Sequence, residues 1–156
     1  MRLRKLVREK KVQRTDSDWC DKDLQPRNAP VYMKTRPIRA GWRWRSAKAE
    51  GSSGDFVLLA ECNPSRANWK AMLIIVTDTS ASVVARFEDH GSHPGLHIHA
   101  HCERGGLEPG ASSIDDLPRI PPAHQHHRRT TAWTENGFWE AAKRFFRIEE
   151  PKGPLL

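Results

Sequence analysis

Between Gly41 and Cys102 the chain is cut into five short runs of strand character by turns only a few residues long, and this punctuation constrains the fold more than any other feature. Trp42-Arg43-Trp44-Arg45 alternates aromatic and basic residues, which suits a strand with one buried aromatic face. Residues 50–55 hold two glycines and two serines and read as a turn, followed by the run Phe56-Val57-Leu58-Leu59-Ala60. Asn63-Pro64-Ser65-Arg66 turns the chain into Lys70-Ala71-Met72-Leu73-Ile74-Ile75-Val76, and Asp78-Thr79-Ser80 breaks that run before Val83-Val84-Ala85-Arg86-Phe87. The fifth run is Leu96-His97-Ile98-His99-Ala100-His101-Cys102, apolar at alternate positions. Parallel neighbours need crossovers of about a dozen residues or more, and these turns are too short for that. The prediction is an antiparallel meander of about five strands. The 70–76 run is apolar on both faces, which places it centrally beneath a covering element.

The covering element is predicted at the C-terminus. Phe138, Ala141, Ala142, Phe145 and Phe146 recur at helical spacing, Thr134 stands as the N-cap, and Lys143, Arg144 and Arg147 suit the negative end of the helix dipole. The fold class is therefore α+β, a single domain at 36–150. Residues 1–35 form a basic arm and lead-in, partly flexible, since 15–37 mix Asp, Pro, Asn and Lys without periodicity. Residues 104–133 are rich in Gly, Pro, Ser and Asp, and a loop so long is usually functional or disordered. It carries His124, His126, His127, Arg128 and Arg129 and has the length to close over the histidine strand.

Charge and cysteine content narrow the setting. Of 26 bases and 19 acids, seven bases and one acid fall in residues 1–14, so the rest is nearly neutral with 19 bases and 18 acids. The arm, with Arg4 and Lys5, suits sequence-independent phosphate contacts; the alternative is a solvated tail or a helix nucleated by Leu3, Leu6 and Val7. No run of about 18 apolar residues is present, which argues against a membrane span, and the first residues lack the apolar core of a secretory signal. Cys20, Cys62 and Cys102 are odd in number and scattered, which argues against a disulfide framework or a thiolate zinc site and for a cytoplasmic location.

Five of the eight histidines fall between His90 and His101. On a strand, residues i and i+2 share a face about 6.5 Å apart, so His97, His99 and His101 form one stripe, and Cys102 falls on the other face. Three chemistries use such a stripe. A divalent metal, Zn or Mn, would take His97 and His99 with His101 or His93 as third ligand, leaving a position for water. Metal-free RNA cleavage would use one imidazole to take the 2′-hydroxyl proton and another to protonate the 5′-oxygen, with a cation steadying the phosphorane. Nucleophilic attack on a phosphoanhydride is the third. Residues 97–103 resemble the His-φ-His-φ-His-φ-φ motif of the histidine-triad nucleotide hydrolases through His97, His99 and His101, but Glu103 breaks the pattern. The plainest reading is a polar, solvated strand face with histidines stacked on Trp42 or Trp44.

A longer stretch, Arg86-Phe87-Glu88-Asp89-His90-Gly91-Ser92-His93-Pro94-Gly95-Leu96 followed by His97-Ile98-His99-Ala100-His101, resembles the TumE-type toxins of bacterial toxin–antitoxin systems. The resemblance implies a ribonuclease held by an antitoxin partner, with His93 as the histidine of the His-Pro turn and His97, His99 and His101 as the later cluster. The expected function is thus a small cytoplasmic ribonuclease without a cofactor, acting on RNA. In it, His97 and His99 transfer protons, and His93 and His101 orient or contact phosphate. Arg86 stabilises charge, and Asp89 holds one imidazole in its tautomer. Arg104, Arg128, Arg129, Arg4 and Lys5 are the expected substrate contacts. The rivals are a metal-dependent phosphoesterase or nucleotide hydrolase at the same histidines and a non-catalytic module binding nucleic acid or protein.

Overall fold

A computed structural model describes residues 3–90, 93–100 and 133–153; for Arg4 and for residues 93–95, 97, 99 and 100 the description is of the backbone. The five expected runs form strands β2 (Arg43–Gly51), β3 (Gly54–Asn63), β4 (Asn68–Val76), β5 (Ala81–His90) and β6 (His93–Ala100). Each pairs antiparallel with the next, as the short turns require. Gly54 sits at φ +135°, a backbone angle that side chains rarely tolerate, and closes the β2–β3 turn. Between β3 and β4 the side chain of Asn63 accepts a hydrogen bond from the Arg66 backbone N–H and caps a 3-10 turn at Pro64–Arg66.

The sheet extends further than a five-strand meander and is mixed. β1 (Lys11–Gln13) adds antiparallel to β2, and β7 (Ile148–Glu149) adds parallel to β1, giving the order β6-β5-β4-β3-β2-β1-β7. The expectation of a purely antiparallel sheet is corrected at this edge. The cause is chain direction. The C-terminal helix α2 (Glu135–Phe145) ends at Phe146, and Arg147 takes a left-handed φ of 55°, turning Ile148 alongside Lys11.

Two layers cover the sheet. On one face lie Ala47, Phe56, Leu58, Trp69, Leu73, Phe87 and Ile98, packed against Phe138, Trp139, Ala142 and Phe146 of the α2 segment and Leu6 and Val7 of α1 (Leu3–Arg8). Thr134 caps α2 as expected, accepting from the Gly137 backbone N–H at 2.9 Å. Trp44, Val57, Leu59, Met72 and Ile74 face the other way and are covered by Leu24 and Ala29 of the lead-in, with Val31, Tyr32 and Ile38 alongside. β4 is thus buried on both faces, as its composition predicts, but the second cover comes from residues read as a linker. The arm likewise enters the body of the fold, through α1 and β1.

A charged clasp ties the lead-in to the sheet. The Arg45 guanidinium donates to both Asp16 carboxylate oxygens, at 2.9 and 2.6 Å, and stacks 4.8 Å from the Trp139 ring centroid. Burial alone would raise the Asp16 carboxyl, but this pairing holds it below the usual carboxylate range.

Candidate active site

The histidine run folds as expected into a strand, β6, at an edge of the sheet as far as Ala100; the strand begins at His93, so His93-Pro94 belongs to it and not to a turn, and 101–102 lie outside the described residues. Ile98 is fully buried in the helix-side core and Leu96 packs against it, so their alternation is read correctly from the sequence. The β5–β6 register pairs His99 with Arg86 and His97 with Glu88, and beyond an irregularity at Asp89 it pairs His90 with His93. Residues directly opposite in an antiparallel pair occupy the same face. Arg86 is itself opposite Met72 on β4, so these register positions lie on the face covered by the lead-in.

On that face β5 carries a compact set of charges. Glu88 is only 4% exposed, and its carboxylate meets the Arg86 guanidinium at 3.4 Å and His90 Nε2 at 3.2 Å. A buried carboxylate is tolerated where charged or hydrogen-bonded partners offset its lost hydration, and Arg86 and His90 both serve here. Arg86 Nε is buried with no hydrogen-bond acceptor among the described residues.

Asp89 stands elsewhere. It is in register with Trp69, whose side chain belongs to the helix-side core, and its carboxylate accepts from Trp133 Nε1–H at 2.8 Å. The contact expected of Asp89, a carboxylate on an imidazole, is made by Glu88. The period of two in Arg86-Phe87-Glu88 carries that signal, because a buried Phe87 puts its two neighbours together on the opposite face.

Of the expected substrate contacts, Arg4 and Lys5 belong to α1, which packs on the helix side and is not brought to the Arg86 face. Arg104, Arg128, Arg129 and His101 lie outside the described residues, as do His124, His126, His127 and Cys102. Among the described residues no group of three or more His, Cys, Asp or Glu is arranged to hold a metal ion, and no helix is long and apolar enough to cross a membrane.

The same row of the sheet runs on from the histidine strand. Glu61 on β3 pairs with Lys70 on β4, Lys70 with Glu88 on β5, and Glu88 with His97 on β6. The Lys70 ammonium lies 3.4 Å from the Glu61 carboxylate, so charge alternates along the row. Compared with known proteins, the chain matches no family model, no curated protein and no solved structure.

Proposed function

We propose that the protein is a small histidine-dependent ribonuclease, with the toxin of a toxin–antitoxin pair as the setting that its resemblance over Arg86–His101 implies. One observation carries the reading: the register places two histidine positions opposite a guanidinium and a buried carboxylate on one sheet face. Phosphodiester transfer needs these groups. One imidazole takes the proton of the 2′-hydroxyl as its oxygen attacks phosphorus. The bond from phosphorus to the 5′-oxygen breaks, and a second, protonated imidazole delivers the proton to that oxygen. The products are a 2′,3′-cyclic phosphate and a free 5′-hydroxyl. Each transfer is typically worth about 10²–10⁴-fold, and a guanidinium placed at the phosphorane adds electrostatic stabilisation. His97 and His99 are assigned the proton transfers, His93 and His101 the orientation of phosphate, and Arg86 the developing charge. Glu88 holds the cation and an imidazole in place.

Incubation of the purified protein with total RNA, with and without EDTA, beside His99→Ala tests this. The expected result is cleavage that resists EDTA, leaves cyclic phosphate ends and is lost in the variant. Loss with EDTA and recovery with zinc or manganese would transfer the assignment to a metal site at the same histidines. Absence of turnover under every condition would remove both enzymatic readings and leave a binding module.

A further inference from the structure

A cleft of about 300 Å³ opens at the turn end of β3 and β4, on the same face as Arg86 and Glu88. Its walls are the loop before β2, with Arg36, Arg39 and Trp42, and the sheet end, with Glu61, Arg66 and Lys70. The loop reaches that position because Gly41, at φ +85°, turns it tightly beside Asn63; a Cβ there would stand 3.3 Å from the Asn63 side-chain nitrogen.

The cations of the cleft are not equally committed. Arg36 and Lys70 share the Glu61 carboxylate at 3.7 and 3.4 Å, and Arg43 reaches Glu135 at 3.1 Å. Arg39 and Arg66 are exposed and have no acidic partner among the described residues. The two tryptophans of the alternating run also part ways. Trp44 is buried and donates its indole N–H to the Lys22 carbonyl at 2.7 Å, whereas Trp42 is half-buried and lines the cleft. An aromatic plate flanked by uncommitted guanidinium groups fits a base between phosphates, because any base offers a π-face and Arg grips phosphate through paired N–H donors. Lys70 stands two strands from the His97 position along one row, or about 10 Å, so a strand seated in the cleft continues toward the histidine edge.

We propose that this cleft is a subsite for single-stranded RNA, in which Trp42 stacks on a base and Arg39 and Arg66 hold the adjacent phosphates. The choice of RNA rests on the ribonuclease reading; the recognition itself is separate from cleavage.

A labelled 2′-O-methyl oligouridine, which lacks the attacking hydroxyl, is the probe. Its binding to the full chain in EDTA is followed by fluorescence anisotropy over a series of salt concentrations. For Arg39→Gln/Arg66→Gln the expected result is affinity weakened about tenfold or more, with the salt slope reduced by about 1.4, or 0.7 per lost phosphate contact. Trp42→Ala is expected to weaken binding about tenfold at an unchanged salt slope, and Trp42→Phe to recover most of that loss. Thermal melting of each variant shows whether it keeps the fold, and Trp42→Phe stands in for Trp42→Ala should the latter unfold, weakening binding less than tenfold. Variants that are folded and bind like the parent would overturn the proposal. So would polyglutamate competing as well as the oligonucleotide, which would mark an acidic protein surface as the occupant. Binding as expected without RNA cleavage leaves the subsite standing and removes the ribonuclease; cleavage with normal binding by all variants does the reverse.

Discussion

Glu88 holds together the charges of the candidate face. Its carboxylate is nearly inaccessible, touches both Arg86 and His90, and lies opposite the His97 position in the register. Glu88→Gln keeps the shape and removes the charge that orients its neighbours. Its expected effect is a fall in kcat/KM of about tenfold or more, with a shifted pH–rate profile, and a stability loss of about 1–3 kcal/mol from the weakened buried contacts. An unchanged pH profile alongside the stability loss would make Glu88 structural and nothing more. From the sequence, Asp89 is the carboxylate expected to hold one imidazole in its tautomer. Alternation around Phe87 was the better guide, since a strand separates neighbours and unites residues two apart. Trp133, the partner of Asp89, lies 44 positions along the chain, a separation that no local pattern reports.

Among the elements, those with a long period were legible and those held by remote partners were not. Helix α2 announces itself through five apolar residues at helical spacing, and the β2–β6 strands through alternation and turn residues. β1 is three residues long and β7 two, too short for any period; β1 is held between β2 and β7, and β7 by β1. Lys11 fastens this corner. It is fully buried and donates its ammonium protons to the carbonyls of Val7 (3.3 Å), Glu9 (2.9 Å) and Phe146 (2.9 Å), bringing a cation to the C-terminal ends of both helices. Burial nonetheless pushes its pKa down to about 8; the Glu9 carboxylate opposes the shift and Arg147 adds to it. In the unfolded chain the same amine holds its proton to about 10.5, so between these values the unfolded state binds more protons than the native state. Stability from this residue therefore rises as pH climbs from about 8 to about 10.5, by up to roughly 3 kcal/mol. Urea unfolding of the parent and Lys11→Met across that range is expected to show the parent gaining on the variant. Parallel curves would contradict the account of Lys11.

For the whole molecule, the sheet is covered by helices on one side and by an irregular lead-in on the other. The second layer was hidden in the sequence because Leu24, Ala29 and Ile38 are isolated apolar residues with no repeat to connect them. The proposed sites lie on that side: the candidate face of Arg86 and Glu88 and the cleft of Trp42 share it, while α1 and α2 occupy the other. Composition alone pointed to the N-terminal arm as the basic surface. The folded chain instead gathers Arg36, Arg39, Arg66 and Lys70 from three separate segments around one cleft. The strand that carries His97 and His99 was legible because its period matches a strand, whereas the charged residues opposite them depend on a register that only the folded sheet fixes. The central claim is that this face moves protons at a phosphodiester without a metal, and the pH dependence of kcat/KM on a defined RNA oligonucleotide in EDTA tests it most directly. The account predicts a bell-shaped profile whose limbs fall in the range where imidazole titrates, with His97→Ala and His99→Ala inactive across it. A folded protein that shows no cleavage at any pH, or a rate that climbs with pH without a falling limb, would contradict it.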